Sequence, residues 1–330
     1  MVAPNTEVID YNSLITATLR NTSSEIIDNI SKHIPLIYRL KDKQNIKTDG
    51  GTEIVRNIRY RMNSNYSRIR GYQEFAIAPQ ESYTVVRYDY KQVVIAVPAS
   101  DEEQYINTGK WKLFDLVERK IQDMREDLME GLDADCYSDG TADGGNQIGG
   151  LQLLIADSPS SSTTVGGINQ STYSWWRNIS KAGTADFGSL VSNANVCDRV
   201  RAIKHLCTRN KSTFNLGLID NNFYDALIGA MESKQRFTSP KGLIDAGFSA
   251  VSYEGVDFIN CQEADGALPA NHNYFLNDNT LQLVIHKDRN FTPLSGDRTV
   301  PTQAAVVKAI TFVGNLITTE RRTSAVYINQ

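Results

Sequence analysis

The chain has 330 residues, 41% of them hydrophobic and 22% charged, and a formal net charge of −4. That composition fits a folded chain with a sizeable core and excludes a disordered or fibrous one. The weak negative balance leaves no global footprint for a dedicated nucleic-acid-binding domain, and no run nears the roughly 18 apolar residues of a membrane span.

The opening MVAPNTEVIDYNSL lacks a basic region followed by an apolar run, so no secretory signal is expected. Cys136, Cys197, Cys207 and Cys261 form no CxxC pair and read as reduced, buried thiols of a cytoplasmic protein.

Residues 1–37 read as a polar N-terminal arm with one short helix, opened by Ser23-Ser24-Glu25 and stopped before Pro35. Residues 38–98 read as one long hairpin. Ile54, Ile58, Tyr60 and Met62 share one parity and Arg59 and Arg61 the other; Thr84–Tyr90 and Val93–Val97 continue the strand signal. An isolated two-stranded ribbon is marginal in water, so a hairpin this long and polar should lie against something else.

Residues 109–136 carry the strongest helix signal. Trp111, Phe114, Val117, Ile121, Met124, Leu128 and Leu132 form one apolar stripe at helical spacing, predicting a rod of roughly 40 Å. It should end near Gly131 or in the turn-rich stretch 139–145. Residues 145–186 are loop-rich. Residues 187–300 read as mixed α and β: helices over 187–207 and over 221–231 behind an Asp220 cap, and strands at 217–219, 256–259, 274–276 and 281–285. The pair around Asn277-Asp278-Asn279 reads as a hairpin. Residues 304–318 and 324–328 read as closing strands.

A search for chemistry returns little. There is no GxxxxGK[ST], and the glycines of 144–150 follow no strand. Asp135, Asp139 and Asp143 align loosely with a calcium loop, but Tyr137 and Asn146 stand where a carboxylate and the bidentate Glu are needed. His33, His205, His272 and His286 lack zinc spacing, and no nucleophile sits in a family context. No catalytic, cofactor-binding or metal-ligating set is predicted.

Charge is segregated along the chain. Residues 38–91 hold eleven Lys and Arg against six Asp and Glu; residues 101–143 hold five against thirteen. A basic ribbon and an acidic helical surface on one chain are complementary patches, as in a subunit that contacts copies of itself. The candidate contact residues are Arg56, Arg59, Arg61, Arg68 and Arg70 on the ribbon. Their counterparts are Asp115, Glu118, Asp123, Glu126 and Glu130 on the helix.

The order of elements, together with Asp139-Gly140, Ile148-Gly149-Gly150-Leu151-Gln152, Val165-Gly166-Gly167-Ile168-Asn169 and Trp175-Trp176-Arg177-Asn178, resembles the major capsid protein of tailed bacteriophages. So do Gly247-Phe248, Tyr253-Glu254-Gly255-Val256, Tyr274-Phe275-Leu276-Asn277 and Leu281-Gln282-Leu283. The resemblance covers roughly residues 10–325.

It implies an α+β chain with the HK-ninety-seven-like capsid fold. The parts would be an N-terminal arm (1–37), an extended hairpin loop (38–98), a peripheral domain with a spine helix and Gly-rich loop (99–186), an axial α/β domain (187–300) and C-terminal strands returning to the peripheral domain (301–330). It further implies a non-enzymatic shell subunit forming pentamers and hexamers in the virion, assembled in the host bacterial cytoplasm. Expected partners are a separate scaffold protein, since no fused scaffold segment is seen, a portal, a decoration or cement protein, and packaged double-stranded DNA by weak non-specific contact. The readings that stay open beside it are an encapsulin-type compartment and, in another class, a metal-dependent enzyme built on the 133–143 turn.

Overall fold

The computed structural model describes residues 34–74, 77–100, 110–232, 248–262, 267–293, 298–299 and 305–330. The expected short helix at 23–30 lies outside them.

Helix α1 (Pro35–Asp42) begins with a proline whose fixed φ suits a first helical turn, and packs Leu36, Ile37 and Leu40 inward. Strand β1 (Ile46–Asp49) follows, then the antiparallel pair β2 (Glu53–Arg59) and β3 (Tyr83–Asp89), in register from Glu53↔Asp89 to Arg59↔Tyr83. Strand β4 (Lys91–Ser100) leads to the long helix α2 (Lys110–Tyr137). The two-stranded hairpin is therefore 53–89, shorter than the 38–98 expected. Residues 38–42 are helical, and β4 leaves the hairpin to pair with β15 (Ala305–Thr318) over ten positions. Its Val/Ile run suits a strand with one covered face: β4 pairs with β15 alone among the described strands, and its side chains alternate between half-buried and exposed over 91–96.

Helix α2 runs through Gly131 to Tyr137 and buries Met124, Leu128, Leu132 and Cys136, each four residues apart on one face. The side chains of 110–118 and of Ile121, where the rest of the apolar stripe falls, lie outside the described residues. Beyond α2 the chain doubles back tightly. A Cβ at Gly150 would stand 2.4 Å from the Asp135 carbonyl oxygen and 2.6 Å from that of Cys136, so only glycine lets the returning segment touch the helix end.

Next come α3 (Leu151–Leu154), a small ribbon β5 (Thr164–Val165) and β6 (Ile168–Asn169), strand β7 (Ile179–Ala182), and helices α4 (Gly183–Phe187) and α5 (Val196–Cys207). Helix was expected from residue 187; α4 stops at Gly188, which is left-handed at φ 73°, and α5 starts only at Val196. Strand β8 (Leu216–Ile219) precedes α6 (Asn221–Glu232), whose Phe223 N–H donates to Asp220 Oδ1 at 2.8 Å, the expected cap. Strands β9 (Ala250–Tyr253), β10 (Val256–Asn260), β11 (His272–Leu276), β12 (Leu281–His286), β13 (Thr292–Pro293), β14 (Arg298–Thr299), β15 and β16 (Ala325–Ile328) complete the chain.

Two six-stranded sheets result. The first centres on β15, with β4 along one side and β12, β13 and β14 in succession along the other; β1 pairs with β12. The second has the order β7-β16-β11-β8-β10-β9 and mixes parallel and antiparallel neighbours. Period-two burial splits its side chains between two cores. Tyr274, Leu276, Val326 and Ile328 face the core shared with the first sheet and α2. Phe275, Ala325 and Tyr327 face α5 and α6.

Strands β11 and β12 do not form the expected hairpin. They belong to different sheets, and residues 277–280 carry the chain from one to the other. Asp278 is fully buried in this corner, paired with Arg39 at 2.9 Å and bonded to Asn215. Those bonds turn the chain away from the antiparallel return that Asn-Asp-Asn suggests locally. The link from β15 to β16 makes the same crossing, so the last strand joins the second sheet.

Candidate functional site

The β2–β3 hairpin has one packed and one open face. Ile54, Ile58, Val86 and Tyr88 are buried, while Val55, Arg59, Tyr83, Val85 and Arg87 alternate outward. Tyr88 Oη donates to the Thr318 carbonyl at 3.0 Å, and Arg87 N–H donates to the Gly166 carbonyl at 3.0 Å. Burial pushes the Tyr88 hydroxyl far above its ordinary value. Gly166 is left-handed (φ 61°), and a Cβ there would fall 2.1 Å from Val86 Cγ1. The hairpin base is thus seated in a glycine notch of the β5–β6 ribbon.

The apex, in contrast, is open. Met62 (79%), Tyr66 (77%), Tyr72 (108%) and Ile77 (83%) retain most of their accessible surface.

The structure separates the candidate arginines into three settings. Arg56 is spent within the chain, on Asp49 at 3.0 Å, and that guanidinium holds the Asp49 carboxyl below its ordinary value. Arg68 and Arg70 are exposed on the apex. Arg59 and Arg61 stand where the hairpin leaves the body and line an open cleft of about 390 Å³. On α2, Asp123, Glu126 and Glu130 are exposed beside Asp127; the side chains of Asp115 and Glu118 lie outside the described residues. Among the described residues no ion pair joins a hairpin arginine to a helix carboxylate.

Three further arginines carry structure that spacing did not reveal. Arg39 pairs with Asp257 (3.0 Å) and Asp278 (2.9 Å). Arg199 is buried against Tyr327 and the Ser189 and Leu190 carbonyls. Arg321 is 1% exposed and donates to Leu154 O (2.6 Å), Gln170 Oε1 (2.9 Å), Trp176 O (3.3 Å) and Asn178 Oδ1 (3.1 Å), all neutral acceptors. Burial lowers its pKa to about 10. No sequence signal marks any of the three, because each is defined by partners 9 to 239 positions away.

The Asp-rich turn is tied up locally. Asp135 Oδ1 accepts from Gln147 at 2.8 Å, and Asp139 Oδ1 accepts from Thr141 N–H at 3.0 Å and its hydroxyl at 2.8 Å. Asp133 is different: it is mostly buried, and burial raises it to about 6. A separate apolar cavity of about 250 Å³ lies between α1, the end of α2 and the first sheet, lined by Ile37, Leu132, Cys136, Leu283, Phe312 and Leu316 among others.

No protein-family model matches this chain, and no curated protein sequence matches it. Solved structures do. The capsid asymmetric unit of cyanophage A-1(L) superposes with a TM-score of 0.60 at 15% identity, covering 87% of this chain and 90% of that one. The capsid of a native GTA particle gives 0.54 at 11% identity, covering 88% and 90%. The Mycobacterium phage Cain structure gives 0.52 at 6% identity, covering 89% of each. The chain therefore has the mixed α and β fold of phage capsid proteins over nearly its whole length, as the sequence resemblance implied.

Proposed function

We propose that this chain is the structural major capsid subunit of a tailed-phage head, without enzymatic activity, assembling into pentamers and hexamers of an icosahedral shell. The observation that carries the reading is the hairpin apex. Large apolar side chains, among them Met62, Tyr66, Tyr72 and Ile77, are exposed together with Arg68 and Arg70 on the irregular tip beyond the β2–β3 pair. Such a patch marks a protein–protein contact. Across an assembly the hairpin would overlie a neighbour's α2 region, with Arg68 and Arg70 at the apex facing Asp115, Glu118, Asp123, Glu126 and Glu130, while Arg59 and Arg61 line a cleft nearer the body. In that arrangement residues 1–37 act as an arm, α2 as the spine of a peripheral domain, and the second sheet with α5 and α6 as the axial domain near the symmetry centres. Arg56 drops out of the contact set, because Asp49 already holds it.

The same reading assigns a separate scaffold, a portal, a decoration protein and packaged DNA as partners, with assembly in the host cytoplasm and residence in the virion. Proteins of similar fold support assembly of this kind: one comes from a satellite phage P4 procapsid that includes a size-determination protein.

Negative-stain electron microscopy of the expressed chain, alone and with a candidate scaffold, tests the proposal. Closed shells or free pentamers and hexamers are expected. A stable monomer or dimer under both conditions would overturn it.

A further inference from the structure

The cleft at the hairpin base is electrostatically unbalanced. Arg59, Arg61, Arg209 and Arg321 line it, and Glu320 is the one carboxylate among its lining residues. Arg59, Arg61 and Arg209 are exposed and, among the described residues, take part in no ion pair. Arg321, behind them, is held by neutral acceptors alone.

Like charges gathered in a concave site repel one another, and the arrangement persists at least cost when an anion fills it. Two contacts brace the walls. Tyr60 stacks on Trp175 with centroids 5.2 Å apart, and Arg209 sits on a tight turn closed by reciprocal bonds with Ser212 at 2.8 Å.

We infer that this cleft is a binding site for phosphoryl anions, held by the guanidinium forks of Arg59, Arg61 and Arg209. The inference rests on the cleft and not on the shell reading. Each guanidinium offers five N–H donors, and three of them exceed what one carboxylate can accept. A phosphoryl group brings more oxygens and more charge into the same volume, and Arg forks match its geometry. A whole helix, about 10 Å across, is too wide for a cleft of this size, which disfavours the acidic face of a second copy as the occupant. The phosphoryl group could belong to a nucleic-acid backbone or to free phosphate or pyrophosphate.

Titration of the full-length, unassembled chain with inorganic phosphate, pyrophosphate and a short single-stranded oligonucleotide, at fixed ionic strength, tests the site. Arg59→Ala/Arg61→Ala should weaken binding by about tenfold or more, the loss expected for charge-assisted hydrogen bonds. Lys287→Ala/Arg289→Ala removes the same charge from exposed positions outside the cleft and should leave binding within about twofold. If the alanine pair fails to fold, Arg59→Lys/Arg61→Lys keeps the charge but not the forks and should still lose affinity.

Oligonucleotide binding tighter than pyrophosphate identifies a backbone as the source; equal binding identifies the free anion, and either result upholds the site. Equal weakening in the cleft and control variants would show only diffuse attraction and overturn it. So would the absence of binding by all three probes, and rescue of Arg59→Glu/Arg61→Glu shells by Glu126→Arg/Glu130→Arg would then reassign the cleft to a contact between copies.

Discussion

Arg321 is a buried cation whose charge is balanced by dipoles rather than by a carboxylate. Its four acceptors come from α3, the 170–178 loop and the Trp176 backbone, so one side chain ties the C-terminal crossing to the segment that seats the hairpin. Arg321→Met should destabilise the fold by about 3 kcal/mol, since buried acceptors left without donors keep their desolvation cost. Chemical denaturation would show this as a lower midpoint at unchanged slope. Lysine should rescue little, having no planar fork.

Asp133 gives a pH signature of opposite character to a salt-bridged carboxylate. Its folded-state pKa, about 6, lies above the unfolded value, so the folded state holds its proton more tightly between about pH 4 and 6. Stability contributed by this group is therefore present at low pH and lost as pH rises through about 6. Asp133→Asn should stabilise the chain at pH 7 by about 1–2 kcal/mol and leave it unchanged at pH 4. Denaturation midpoints at the two pH values check the sign; a variant equally stabilised at both would refute it.

At the scale of elements, the contrast lies between α2 and the hairpin. Helix α2 is legible because its apolar stripe recurs at helical spacing and its described exposed positions are rich in charged side chains. The hairpin's strands were legible by parity, but their limits were not. The exit of β4 into the first sheet depends on pairing with β15, more than 200 residues later.

Below its apex, the hairpin is held by four buried side chains and the Gly166 notch. Replacing residues 63–80 with a two-residue Asn-Gly turn should leave the melting temperature within about 3 °C, because the described residues of that segment bury little within the chain. Shell formation should be lost. Calorimetry and electron microscopy of the same preparation read both halves of that prediction.

The His272–Asp157 contact, 3.0 Å, joins β11 to the loop after α3. That hydrogen bond raises the His272 pKa above its ordinary value, so its stabilisation is complete below about pH 6.5 and fades above it. Substituting His272 by Gln should flatten the stability profile between pH 6 and 8.

For the whole molecule, the organising fact is that the chain passes between the two sheets three times, twice through a short direct link. The chain crosses from β11 to β12 through Asp278 and from β15 to β16 through Arg321, and each crossing is closed by a buried charge. Asp278→Ala should strip Arg39 of one partner at the first crossing and cost about 3 kcal/mol, as broken buried pairs do. If the crossings lock the sheets together, the variant should also unfold less cooperatively, seen as a reduced denaturant slope.

Composition, period and turn chemistry by themselves determined the mixed α and β class, the long amphipathic helix, the capped helix at Asp220 and most strand positions. They also revealed the opposed charges of ribbon and helix. These are local quantities, set by side-chain spacing within a few turns or a few residues. Tertiary structure alone decided which strands pair, why Asn277–Asn279 is a corner between sheets rather than a hairpin, and that Arg56 is already spent on Asp49. It also brought Arg59 and Arg61 beside Arg209 and Arg321, across more than 250 positions. Pairing and charge compensation are fixed by contacts between distant segments, and no local pattern encodes a partner whose position the fold has yet to supply.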